Sequence, residues 1–176
     1  MNISPFRDDD RELPEVSRRA LSATMAQFPL LLGETFGPSG WHVISQQDID
    51  DFAGVSQDDN PIHVNKEFAA ASTYGQPIAH GLLTLARMVP MLRQVFSITD
   101  ATLRINYGLD RVRFPAAVRA GDRIRLRGEV KTVTEVPGGW QAVLSLAYEL
   151  ENSVKPACVA DWVARYYLEA QVPDSR

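Results

Sequence analysis

The stretch Ser56-Gln57-Asp58-Asp59-Asn60-Pro61-Ile62-His63 packs two carboxylates, an amide and an imidazole into eight residues, and a second imidazole follows in Ala79-His80-Gly81. A carboxylate and an imidazole aimed at one small volume can hold a water and move its protons. Spacing decides whether they can be aimed that way. Asp58 and His63 are five positions apart, which on one continuous helix would set them about 140° apart around the axis. Pro61 lifts the constraint. It steers Asn60 away from helical backbone, so a helix entering this segment is predicted to end near Asp58, and the chain beyond can bend both side chains onto one point.

Each of these residues also has a plainer reading. Asp58 alone is equally an Asx-turn residue closing a helix, and Asp59 competes with it by position. A lone histidine such as His63 is more often structural than catalytic. Asn60 reads as an orienting residue whose amide bonds the backbone or a neighbour. His80 is either a loop histidine satisfied by backbone or a support to the site. His42, His63, His80 and Cys158 are too scattered to offer metal-site spacing, and no Walker-type or G-x-G-x-x-G loop occurs; neither a metal nor a nucleotide cofactor is expected.

Asp58-x-Asn60-Pro61-Ile62-His63 resembles the D-x-N-P-[LI]-H motif of the R-specific enoyl-CoA hydratases, the MaoC-like dehydratase family, and Pro77-Ile78-Ala79-His80-Gly81 is similar to that family's second conserved block. A nodulation-protein-N-like branch is echoed in Trp41-His42-Val43, Ile105-Asn106-Tyr107-Gly108-Leu109, Arg113-Phe114-Pro115 and Lys155-Pro156-Ala157-Cys158-Val159-Ala160. The likeness runs from about Leu32 to Leu168. Two departures stand out: Gln57 replaces a glycine that often precedes the aspartate, and Asn60-Pro61 stands where the branch often has Gln-Trp.

The resemblance implies a hotdog fold and the reversible hydration of trans-2-enoyl-CoA to (R)-3-hydroxyacyl-CoA. It selects Asp58 over Asp59 and pairs it with His63. Asp58 would take a proton as a water oxygen attacks C3, and His63 would handle the proton bound for C2, or the two would exchange duties. Such hydration builds enolate charge on the thioester oxygen. Gly81 heads a predicted helix, where unpaired N–H groups favour negative charge, so its N–H or its neighbour's would stabilise that oxygen. Asn60 and His80 would orient these groups. Coenzyme A enters as part of the substrate, with no separate cofactor. Two other classes share the expected fold: an acyl-CoA thioesterase, and a non-catalytic acyl-thioester-binding partner subunit.

Composition narrows the rest. The chain has 176 residues, 45% hydrophobic and 23% charged, enough for one domain with a sizeable core. A net charge of -4 gives no reason to expect nucleic acid. One cysteine excludes an internal disulfide framework, which suits a cytoplasmic setting. The acidic start lacks a secretory h-region, and the apolar clusters Phe28 to Leu32 and Leu82 to Val89 are too short to span a membrane. Arg111, Arg113, Arg119, Arg123, Arg125 and Arg127 form a basic run that reads as a solvated strand face, some of which could bind coenzyme A phosphates.

The elements that must position the site follow from periodicity. Residues 1–31 read as an arm with a possible extra helix over Pro14 to Leu32, and residues 32–176 as the hotdog domain. Trp41 to Ser45 reads as a strand. Ser45 with Asp48 should cap a helix through Ala53, and Asn65 one over Lys66 to Ser72. The apolar stripe Leu82, Leu85, Ala86, Val89, Leu92, Phe96 predicts one long central helix kinked at Pro90. Strands are predicted over Ala101 to Tyr107, Leu109 to Phe114, Ile124 to Val136, Trp140 to Leu150 and Cys158 to Leu168, with a hairpin at Pro137-Gly138-Gly139. The class is α+β, an antiparallel sheet curled around the helix. Its unpaired edge strand predicts a homodimer.

Overall fold

A computed structural model describes residues 19–169. Its framework is a six-stranded antiparallel sheet in the order β2-β6-β7-β8-β5, with β3 also paired to β6. The long strands are β5 (Leu103–Arg113), β6 (Arg123–Val136), β7 (Gly139–Leu150) and β8 (Cys158–Tyr167). Two short ones, β2 (Thr35–Phe36) and β3 (His42–Val43), finish the β6 edge. Alternation makes β6 two-faced: Ile124, Leu126 and Val130 are buried while Arg125, Arg127 and Glu129 take the other side. On β7, Ala142, Leu144, Leu146, Tyr148 and Leu150 share the inner face, as their spacing predicts. Fully burying each of these leucines contributes about 1.5–3 kcal/mol. The turn between the two strands is Pro137-Gly138, with Gly138 at φ 75, a value glycine reaches without strain. Gly139 must also be glycine, because a Cβ there would lie 2.1 Å from the Tyr166 carbonyl oxygen of β8.

Among the described residues five α-helices lie before the long strands. Helix α1 (Gln46–Ser56) carries the expected capping box from Ser45 and Asp48. Helices α2 (Pro61–Val64) and α3 (Lys66–Ala71) follow, the latter capped by Asn65. The single long helix expected over Leu82 to Phe96 is instead α4 (Gly81–Ala86) and α5 (Met88–Leu92), broken at Arg87. Pro90 explains the break. It has no N–H to return to Ala86, so the ladder stops a turn before it, and Pro90 falls in the first turn of α5, where a missing N–H costs nothing. Asp48 meets the Arg87 guanidinium in an ion pair, tying the break to the head of α1. Leu83, Leu85, Met88, Met91 and Leu92 are buried against the sheet, and the buried Tyr148 hydroxyl donates to the Leu85 carbonyl at 3.1 Å. Burial pushes the Tyr148 phenol well above its ordinary pKa, so it remains a donor.

Phe96, assigned to the helix by its spacing, begins strand β4 (Phe96–Ile98), which pairs in parallel with β1 (Leu21–Ala23). The possible extra helix over Pro14 to Leu32 lies partly outside the described residues. From Arg19 onward the chain forms β1 and a short 3-10 helix at Phe28–Leu31 instead, and Leu21, Met25 and Phe28 enter the same core as the sheet. The two strands expected at Ala101 to Tyr107 and Leu109 to Phe114 are one, β5, with irregular register at Asn106/Gly108 and at Asp110/Arg113. The sheet wrapped on α4 and α5 is the hotdog arrangement implied by the resemblance, an α+β fold whose central helix is interrupted. Among the described residues no helix is long and apolar enough to cross a membrane.

Candidate functional site

The chain reverses between α1 and α2, and the reversal builds the site. Helix α1 ends on Gln57 in the left-handed region, at φ 60. Asp58 follows, exposed, with its N–H on the Ser56 hydroxyl at 3.3 Å. Asn60 is non-helical, at φ -51 and ψ 129, and its side-chain oxygen accepts the Ile62 N–H, so it caps α2 with Pro61 at the first helical position. One turn later His63 is buried. The local rules that end α1 and start α2 are thus what separates Asp58 and His63 from a common helix axis. Gln57 occupies the place where the resemblance expects glycine, and its backbone is one glycine adopts freely. Gln57→Gly should stabilise the protein by about 0.5–1 kcal/mol, a rise in Tm of about 1–4 °C for a domain of this size. A fall in Tm would mean the glutamine side chain is held by a contact worth more than the strain.

A second segment closes over the first. Ile78 N–H donates to the Ile62 carbonyl at 3.1 Å, and the Ile78 carbonyl lies 2.7 Å from His63 Nδ1. A carbonyl only accepts, so Nδ1 carries the proton and Nε2 is left with its lone pair. By the same argument His80 donates from Nε2 to the backbone carbonyl of Asp58, at 2.9 Å. Its other nitrogen, Nδ1, is buried without a partner. The His80 ring stacks on His63 with centroids 3.8 Å apart and planes 30° apart, and Phe52 backs it at 5.0 Å. Polar side-chain atoms of Asp58, His63 and His80 lie within 4.8 Å of one another. This trio could also ligate a metal ion, a grouping that the scattered sequence positions hide.

His63 is held neutral. Burial lowers its pKa below the ordinary 6.5, and His80 adds to that; the bond to Ile78 and the charge of Asp58 oppose the shift without cancelling it. A base with a free Nε2 lone pair is therefore available at neutral pH. The unfolded chain takes up a proton on this histidine before the folded one does, so stability falls as pH drops below about 6.5 and through the lower folded value. We expect the His63 C2 proton resonance to titrate below pH 6.5 and Tm to decline over the same window. A resonance titrating above 6.5 would contradict the assignment of His63 as a neutral buried imidazole.

His63 and Ile78 face a cleft of about 360 Å³, lined also by Tyr74, Gly81, Thr84 and the segment Phe114 to Val118. Asp58 does not itself line it. Gly81 opens α4, so its N–H is among those a helix leaves without an internal carbonyl. The Phe114 ring lies close above: a Cβ built on Gly81 would be 2.8 Å from two ring carbons. Asp59 is exposed, and His42 stands apart in β3 beside Gln94. Cys158 is buried, its thiol pushed up to about 12 by burial, and is unsuited to nucleophilic work. The sequence reading missed two features, the His63–His80 stack and Phe114 over Gly81. Only the Arg113-Phe114-Pro115 echo pointed toward the second.

Known proteins resemble this chain in sequence and in fold. A family model described as a MaoC like domain matches residues 27–143. The 3-hydroxyacyl-thioester dehydratase Z of Mycobacterium tuberculosis is 40% identical over 144 residues, 81% of this chain and 95% of that protein. Nodulation protein N of Rhizobium leguminosarum bv. viciae is 38% identical over 144 residues, 80% of this chain and 89% of that one. Among solved structures, the R-hydratase PhaJ1 of Pseudomonas aeruginosa matches with a TM-score of 0.63 at 22% identity, over 82% of this chain and 91% of its own, a likeness of fold.

Proposed function

Since this chain belongs to the MaoC-like dehydratase family and is a hydro-lyase, we propose that it hydrates trans-2-enoyl-CoA reversibly to (R)-3-hydroxyacyl-CoA. The observation that carries this reading is the convergence of Asp58 and the neutral His63 beside a cleft that also contains Gly81. One water sits between the carboxylate and His63 Nε2. Its oxygen adds to C3 while the pair takes one of its protons and returns a proton to C2, so the elements of water are added with nothing left over. Asp58 is the first acceptor and His63 the group serving C2, though a coupled pair exchanges these duties readily. The enolate oxygen formed on the way rests on the Gly81 N–H. Asn60 keeps α2, and so His63, in place by capping; His80 does the same for Asp58 by holding its carbonyl. This acid–base chemistry asks for no cofactor beyond the coenzyme A of the substrate.

The test is crotonyl-CoA with the purified chain. Loss of enoyl absorbance without release of free thiol, giving the (R) product, is expected. Thiol release would mean a thioesterase, and no turnover would mean a non-catalytic partner subunit. The chain is expected to act as a homodimer. Among the described residues strand β5 ends the sheet with one side unpaired, and Tyr107 and Leu109 on it are 56% and 39% exposed. Pairing two such edges would cover both. Sedimentation at micromolar concentration should show a dimer; a monomer with full activity would refute it.

A further inference from the structure

The structure sorts the arginine run into two groups. Arg111 closes on the buried Asp161 together with Lys131, Arg123 closes on Glu151, and Arg125 and Arg127 share Glu149. These four arginines are committed to carboxylates. Arg113 and Arg119 are not: among the described residues neither meets a carboxylate, and both are exposed. Each spends one donor on a neutral carbonyl, Arg113 Nη1 on its neighbour Val112 at 2.7 Å and Arg119 Nε on Tyr74 at 3.2 Å. A guanidinium has five donors, so most of each fork is unused.

Their position is as telling as their freedom. Arg113 and Arg119 bracket the segment Phe114 to Val118, all five residues of which line the cleft that His63 faces. One cation thus stands at each end of a single cleft wall. Arg119 is also fixed to the site's frame. It bridges Ile78, whose carbonyl accepts the hydrogen bond from His63 Nδ1, and its own N–H is held by Asp122 at 2.8 Å. A third cation joins them: Ala116 N–H donates to the Pro156 carbonyl at 3.1 Å, which brings the exposed Lys155 alongside the same segment.

We propose that Arg113 and Arg119, with Lys155 beside them, anchor the phosphates of coenzyme A at the outer end of this cleft. The proposal rests on the dehydratase reading above and adds the part of the molecule that grips the carrier. Planar guanidinium forks match phosphate oxygens in pairs. Outside the cleft these phosphates stay hydrated until they meet the arginines, so the anchor adds affinity without entering the chemistry. It accounts for two arginines that meet no carboxylate among the described residues, on a chain whose net charge is -4.

The experiment compares crotonyl-CoA with the crotonyl ester of N-acetylcysteamine, which carries the same reacting atoms and no phosphate. The parent should prefer the coenzyme A ester in kcat/KM, and added salt should erode that preference by screening. The double variant Arg113→Ser/Arg119→Ser should lose about tenfold or more of it, through KM, as expected when charge-assisted bonds are removed. Arg93→Ser, which removes an exposed cation at the end of α5 that does not line the cleft, should keep the preference. If both esters are hydrated and the double variant keeps the parent's preference, the anchor is elsewhere. Should the variant lose turnover only with crotonyl-acyl carrier protein, the cations serve an acidic carrier and this assignment is overturned. If the parent hydrates neither ester, the dehydratase reading itself fails and takes the anchor with it.

Discussion

Asp58→Asn should lower the rate of crotonyl-CoA hydration by about 100- to 10,000-fold, the usual contribution of a general acid–base group. The substitution is clean. Asp58 is exposed, and His80 holds its backbone carbonyl rather than its carboxylate, so the loop loses a proton acceptor and little else. His63→Ala should lower the rate by a similar factor but also costs stability. It removes a buried ring, leaves the Ile78 carbonyl without its donor and uncovers His80. That loss is about 1–3 kcal/mol, against a typical total of about 5–15 kcal/mol, so the folded population survives and the rate still reports chemistry. His63→Asn, whose amide can donate to Ile78, separates the two effects further. Residues that act as one unit are far from additive, so Asp58→Asn/His63→Ala should be hardly slower than the poorer single variant. Asp59→Asn is the control and should match the parent. If Asp58→Asn keeps more than about a tenth of the parent rate, Asp58 is not the base. If Asp59→Asn is the inactive variant, the register of the motif is wrong by one residue.

What could be read from the sequence was what local rules determine. The Ser45–Asp48 box, the Asn65 cap, the Pro137-Gly138 turn and the alternation along β6 and β7 each involve a few neighbouring residues, and each is present. The failures share a different cause. Phe96 continues the apolar stripe of Leu92 and Val89, but its place is settled by pairing with Leu21, far away in the chain, and periodicity carries no record of that partner. Gly108 suggested a gap between strands, whereas β8 carries the chain through it with a change of register. The site divides the same way. Asn60-Pro61 made the Asp58–His63 convergence legible, because a helix end is a local event. The stack of His80 on His63 requires the Ile78–Ile62 bond to bring two segments together. That is a tertiary fact, and so is the sorting of six arginines into paired and unpaired.

Gly81→Val should reduce kcat for hydration by about 100- to 1,000-fold, the range seen when one donor to an oxyanion is lost. The obstacle has an identity: a Cβ at this position falls 2.8 Å from the Phe114 ring. Phe114 is 42% exposed, so its ring can swing toward solvent and relieve the clash at small cost to folding. The loss should therefore fall on the rate more than on Tm. Two origins of that loss make different predictions. If the displaced Phe114 ring is the cause, because it no longer walls the cleft, then Phe114→Ala alone should reproduce the defect in the parent background. If the branched side chain occludes the thioester oxygen and tilts the N–H away from it, Phe114→Ala should retain most of the rate. In that case Gly81→Val/Phe114→Ala should remain as slow as Gly81→Val, although its clash is gone. The second pattern is expected, because glycine here both admits the substrate to the backbone and presents the donor. Parent-rate hydration by Gly81→Val would place the oxyanion donor at another residue.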